Sequence, residues 1–144
     1  MSSPDASPAA IVAPVELKLV AADGAFVPVE ASFEYDPSDP FAVRAEFWLT
    51  EGEDPVVWVF ARDLIAQGLD SPAGEGDVGV WPSRSHGEPV VCLALSSPNG
   101  HALLECQRAD LASFLEQTLA TVPAGDESLH LDVDTPIDLL LDGS

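Results

Sequence analysis

From Val27 to Tyr35 apolar and polar side chains alternate without a break: Val27, Val29, Ala31, Phe33 and Tyr35 on one side, Pro28, Glu30, Ser32 and Glu34 on the other. A period of two belongs to an extended strand with one buried and one wet face. The same pattern flanks it. Upstream, Val15, Leu17 and Leu19 oppose Glu16 and Lys18, and Asp23-Gly24 supplies turn residues before the next strand. Downstream, Phe41, Val43, Ala45, Phe47 and Leu49 alternate with Ala42, Arg44, Glu46 and Trp48. Successive alternating runs joined by short turns predict an antiparallel meander.

A fourth run, residues 56–60, is apolar on both faces, so something must cover its outer side. Residues 61–67 then read as a short helix anchored by Leu64 and Ile65, with Gly68 suited to the left-handed position after its last turn. A Gly-rich loop at 71–76 precedes three further strands, 78–81, 90–95 and 101–106, and Ser97-Pro98-Asn99-Gly100 makes the last hairpin. Leu111, Phe114, Leu115 and Leu119 recur at helical spacing ahead of Pro123. Near the end, Thr135-Pro136-Ile137-Asp138 has the capping residue, proline and acid of a helix start. Strands then helix, twice, predict an α+β domain with two antiparallel sheets and two main helices. Residues 1–14, rich in Ser, Pro and Ala, predict a flexible N-terminal arm ahead of a single domain over 15–144.

The charge narrows the function. Against 25 acidic residues stand 5 basic ones, a formal net charge of −20, while 47% of the residues are hydrophobic. Carboxylates are seldom buried unpaired, so a folded core wears an anionic coat. Such a coat repels phosphate, which argues against binding nucleic acid or anionic lipid. Lys18, Arg44, Arg62, Arg84 and Arg108 are scattered and read as local ion-pair partners. No signal peptide pattern and no apolar run of membrane-spanning length is present, so a cytoplasmic protein is expected. Cys92 and Cys106 are too few for a disulfide framework. A hairpin centred on Asn99 would nonetheless set them opposite each other.

Two stretches carry a family resemblance. Gly76-Asp77-Val78-Gly79-Val80-Trp81-Pro82-Ser83-Arg84-Ser85-His86-Gly87 and Val91-Cys92-Leu93-Ala94-Leu95-Ser96-Ser97-Pro98-Asn99-Gly100 together resemble the central block of the SsgA-like proteins. Val57-Trp58-Val59-Phe60-Ala61-Arg62-Asp63-Leu64, Tyr35-Asp36-Pro37-Ser38-Asp39-Pro40-Phe41-Ala42-Val43, Ala102-Leu103-Leu104-Glu105 and 111–115 extend the likeness from about residue 15 to the C-terminus. The resemblance implies a non-enzymatic regulator of sporulation-specific cell division in actinobacteria. It implies a partner set of the division GTPase FtsZ, other SsgA-like proteins and further division proteins, and recruitment to the septum. It also implies a Whirly-like fold in a bell-shaped homotrimer, and no cofactor.

Each candidate residue has a plainer explanation beside it. Trp81, Arg84, Ser85 and His86 combine an aromatic anchor with polar and cationic groups and suit a partner-binding loop. Equally, Trp81 could be core, Pro82 could end the strand, and the polar groups could satisfy a tight turn. Ser85 beside His86 does not make a hydrolase, since neighbours in sequence rarely have nucleophile–base geometry and no Gly-x-Ser-x-Gly elbow is present. His130, Asp132 and Asp134 would share one face if extended, but a solvated acidic segment explains them better than a metal site. The cysteines lack the spacing of a zinc pair. Trp48 shares its face with Arg44 and Glu46, so it marks either an oligomer or partner surface or a patch covered by a helix of the same chain. Val56, Trp58 and Phe60 are candidates for an oligomer interface. The competing function is a single-strand nucleic-acid binder of Whirly type, which needs a cationic groove beside stacking aromatics.

Overall fold

Residues 10–48, 52, 54–98 and 100–130 are described by the structure, a computed structural model. Strands β1 (Ile11–Val20), β2 (Phe26–Tyr35), β3 (Ala42–Trp48) and β4 (Val56–Ala61) form an antiparallel meander that runs into helix α1 (Arg62–Gly68). Strands β5 (Ala73–Glu75), β6 (Val78–Ser85), β7 (Glu88–Ser97) and β8 (Gly100–Gln107) form a second, followed by helix α2 (Arg108–Thr121) and a 3-10 turn at Glu127–His130. The helix start read at Thr135 lies outside the described residues.

The two sheets expected from the sequence are one. Strand order is β4-β3-β2-β1-β8-β7-β6-β5, and the meanders join where Leu17, Lys18 and Leu19 face Cys106, Glu105 and Leu104. Pairing the free sides of β1 and β8 satisfies backbone groups that would otherwise form two more open edges. The alternation read from sequence sets the faces. Val15, Leu17, Val29, Ala31, Phe33, Tyr35, Val43, Ala45 and Phe47 are all buried on the inner face, where both helices pack. Phe33 sits at the centre, its ring 6.4 Å from Phe47, 6.3 Å from Phe60 and 5.7 Å from Phe114 of α2. Phe41, expected inside, is 51% exposed, because β3 begins only at Ala42 and Phe41 lies in the preceding turn.

Several boundaries differ from the sequence reading for one physical reason. β1 begins at Ile11, so residues 11–14 of the expected arm are paired, Ile11 opposite Tyr35 and Pro14 opposite Ser32. β6 continues through Pro82 to Ser85, and a short strand, β5, replaces part of the Gly-rich loop. Proline supplies no ladder hydrogen bond and is accepted where a strand lacks one neighbour. Pro14 lies outside the β1–β8 ladder, Pro28 outside β2–β3, Pro82 outside β5–β6 and Pro89 outside β7–β8. Each therefore sits where its strand is paired on one side only.

Gly68 is inside α1 rather than in a left-handed cap. Its role is close approach, since a Cβ there would run into the side chain and carbonyl of Val80 on β6. At the other end of α1, Arg62 is 2% exposed. Its guanidinium donates to the carbonyls of Thr118 (3.1 Å) and Val122 (2.7 Å) at the end of α2 and to Glu127 (2.8 Å), and lies 5.0 Å from the Tyr35 ring centre. Tyr35 in turn donates to the Pro40 carbonyl at 2.8 Å. One buried cation thus ties the first meander to the end of the second helix, satisfying carbonyls that helix termini leave free.

Candidate docking surface

The Trp81–Gly87 stretch is a hairpin tip. Ser85 faces Glu88, leaving His86 and Gly87 as a two-residue connection with φ of 52° and 82°. Positive φ at both positions is the type I′ geometry that matches strand twist, and glycine at the second avoids a Cβ penalty. Arg84 closes the tip by donating to the Gly87 carbonyl at 3.1 Å. Ser85 Oγ lies 3.4 Å from His86 Nδ1 on the exposed surface, and no carboxylate among the described residues bonds that imidazole. The pair lacks the third group and the shelter that activate a hydroxyl. Trp81 is half-buried on the outer face, opposite Cys92 and close to Gly79. Trp81, Arg84, Ser85 and His86 therefore share one hairpin, with the indole near its middle and the polar groups at its tip.

The cysteines are free and cannot bridge in this register. Cys106 faces Val91 while Cys92 faces Glu105, so the two side chains leave opposite faces of the sheet. The hairpin forms where the sequence placed it, but Ser97 faces Gly100, so its centre lies half a residue before Asn99 and the pairing falls one residue away from Cys-to-Cys. Burial pushes the Cys106 thiol up to about 12, and burial followed by the Glu105 charge raises that of Cys92. Neither is poised as a nucleophile.

Because α1 and α2 both pack on the inner face, the outer face of the first meander carries the chain's exposed polar and apolar groups together. Trp48 is 38% exposed there, opposite Glu30 and on the side of Glu46 and Arg44. Arg44 bonds Glu46 at 2.9 Å and Glu34 at 3.5 Å, exposed ion pairs that stabilise by well under about 1 kcal/mol. Register places Val57 opposite Glu46 and Val59 opposite Arg44, so both valines face outward. Of the interface candidates, Phe60 lies in the chain's own core, Trp58 packs half-buried against that core, and only Val56 is exposed. The exposed β4 valines that sequence reasoning passed over are Val57 and Val59. Extending the β3 alternation by antiparallel register would have found them.

The five basic residues do not gather. Lys18 lies 5.7 Å over the Phe26 ring, Arg108 reaches Asp70 (2.8 Å) and the Leu69 carbonyl (3.2 Å), and Arg44, Arg62 and Arg84 are held as described. No cationic groove arises among them. Among the described residues no cluster of three or more His, Cys, Asp or Glu could hold a metal; Asp132 and Asp134 lie outside them. No helix among them is long and apolar enough to cross a membrane.

These features define an α+β domain built from one curled antiparallel sheet with both helices on its inner face. The chain belongs to the SsgA family: the family model for "Streptomyces sporulation and cell division protein, SsgA" matches residues 29–127. It is 53% identical to the sporulation-specific cell division protein SsgB of Streptomyces coelicolor over 127 residues, covering 88% of this chain and 92% of that one. The SsgB of Frankia casuarinae is 46% identical, covering 92% of each. An SsgA-like sporulation-specific cell division protein from Thermobifida fusca, solved by crystallography, superposes with a TM-score of 0.83 at 43% identity, covering 97% of this chain and 99% of that one. A solved structure of S. coelicolor SsgB, in which mutations correlate to longitudinal cell division during sporulation, superposes at 0.81 with 52% identity, covering 85% and 95%. Family membership places this chain among sporulation and cell division proteins.

Proposed function

We propose that this protein is a non-enzymatic adaptor of sporulation-specific division that localises FtsZ and other division proteins to septum sites and acts as a bell-shaped homotrimer. What carries this reading is its 53% identity to a sporulation-specific cell division protein along nearly the whole chain. The exposed Trp48, Val57 and Val59, on a sheet face that neither α1 nor α2 covers, are the kind of apolar surface that protein partners use. Ser85 and His86 at a solvated hairpin tip belong to recognition, not turnover. With Trp81 and Arg84 they form a second contact region, and the septum is where both are used.

The test is a deletion strain carrying fluorescent FtsZ. Loss of regularly placed rings, restored by the native chain but not by a Trp48→Ser variant that folds normally, is the expected result. Copurification with FtsZ or with an SsgA-like paralogue should follow, and sedimentation should give the mass of three chains. Unchanged septation together with no recovered partner overturns the proposal. So does submicromolar, salt-sensitive capture of single-stranded oligonucleotides, which the net charge of −20 opposes.

A further inference from the structure

The open edge of a sheet presents a row of backbone donors and acceptors, and natural edges are blunted by brevity, charge, proline or a covering element. One edge of this sheet obeys. β5 has only three residues and lies beside α1. Among the described residues the other edge does not: β4 is the last strand beyond β3 and reads VVWVFA, without a charge, a proline or a glycine.

The surroundings of β4 differ on its two faces. Outward, Val57 is 43% and Val59 58% exposed. Beside Val59 lies a depression of about 190 Å³ lined by Glu34, Asp36, Asp39, Ala42 and Arg44, three carboxylates to one guanidinium. Inward, Val56 and Trp58 open onto a groove of about 330 Å³ whose other wall includes Leu95, Ala102 and Leu104 of the second meander. A strand laid along β4 would thus meet an apolar trough on one side and an acidic rim on the other.

We infer that β4 is a docking edge for an extended segment of a partner protein in which apolar and basic residues alternate. Alternate side chains of such a segment point to opposite faces. Its apolar residues enter the groove at Val56 and Trp58. Its lysines or arginines lay their aliphatic stems over Val57 and Val59 and carry their charges to Glu34, Asp36 and Asp39. A second copy of this chain pairing through the same strand fits this edge poorly, since its own β4 has no basic residue for the acidic rim. This inference rests on the adaptor reading and specifies how one partner is held.

A fluorescein-labelled ten-residue peptide of alternating valine and lysine is the probe, titrated by fluorescence anisotropy against the full chain. Micromolar binding is expected. A copy N-methylated along its pairing edge should lose about tenfold or more, because ladder hydrogen bonds and not charge alone hold it. The Val57→Lys/Val59→Lys double variant should lose a similar factor with an unchanged thermal melt. The Ser113→Lys/Gln117→Lys control, the same charge change on the exposed face of α2, should stay within about twofold. Equal binding of the N-methylated peptide overturns the inference, as that is mere attraction to an acidic surface. So does unaltered binding by the β4 variant, absence of binding by the native chain, or a change in assembly mass in the β4 variant, which would assign the edge to self-pairing. If peptide binding fails while FtsZ is still recovered, the edge assignment falls and the adaptor reading stands.

Discussion

Strands β1–β4 keep one face wet and end on a long apolar edge, whereas β5–β8 bury both faces of their central strand and end on an edge three residues long. The contrast is visible in β3 and β7. β3 alternates buried with exposed or half-buried residues from Val43 to Trp48, while Val90, Val91, Cys92 and Leu93 of β7 are buried in succession. Both meanders use the same plan of strands followed by a helix, so topology does not cause the difference. The second meander is finished against its own neighbours; the first leaves apolar surface at its rim. A closed half can serve as scaffold for an open one.

If that division of labour is right, the two halves should stand or fall together, because the inner face is shared. Phe33→Ala is the largest test, expected to cost about 3–5 kcal/mol in urea unfolding while preserving one transition, since its ring joins Phe47 and Phe60 of the first meander to Phe114 of α2, the helix that follows the second. Two separate transitions would show instead that each meander is its own unit. Next, Arg62→Met should cost about 3 kcal/mol, because the buried carbonyls of Thr118 and Val122 lose a charged donor. Gly68→Ala sharpens the contact between α1 and β6: the gain in helix propensity is outweighed by collision with Val80, for a net loss of about 1–2 kcal/mol by the same measurement.

The smallest effect is a dependence on acid. The Arg62 hydrogen bond holds the Glu127 carboxyl below its ordinary value of 4.5. A carboxylate with a lowered folded pKa stabilises above the unfolded value and loses that stabilisation as pH falls through the folded one. The native chain should therefore melt above a Glu127→Gln variant at neutral pH, with a constant gap down to about 4.5, and converge on it below. A gap that persists at lower pH would mean that Glu127 acts by shape and not by charge.

The inner face was largely legible because period-two alternation records burial directly, and it placed Val29, Ala31, Phe33 and Tyr35 correctly. Joining of the two sheets was not legible, because the ladder between Leu17–Leu19 and Leu104–Cys106 depends on pairing across most of the chain and leaves no local pattern. Arg62 was equally silent. An arginine after an apolar strand looks like any surface cation, and its burial follows only from the meeting of α1 with the end of α2. The hairpin at His86-Gly87 left a partial signal: glycine marked a turn, yet Pro82 suggested that the strand stopped short of it. Only the early end of β5 explains why it does not. At the proposed docking edge, the unbroken apolar run of β4 was evident, but which of its residues face outward was settled by their partners on β3.

The three-pair seam between β1 and β8 also bears on how the chain is made. A ribosome delivers the first meander long before residues 104–106, so Leu17, Lys18 and Leu19 emerge with one flank vacant and wait for most of translation to fill it. Throughout that interval the nascent half carries two unpaired margins, β1 and β4, and only the second is still unpaired among the described residues once β8 arrives.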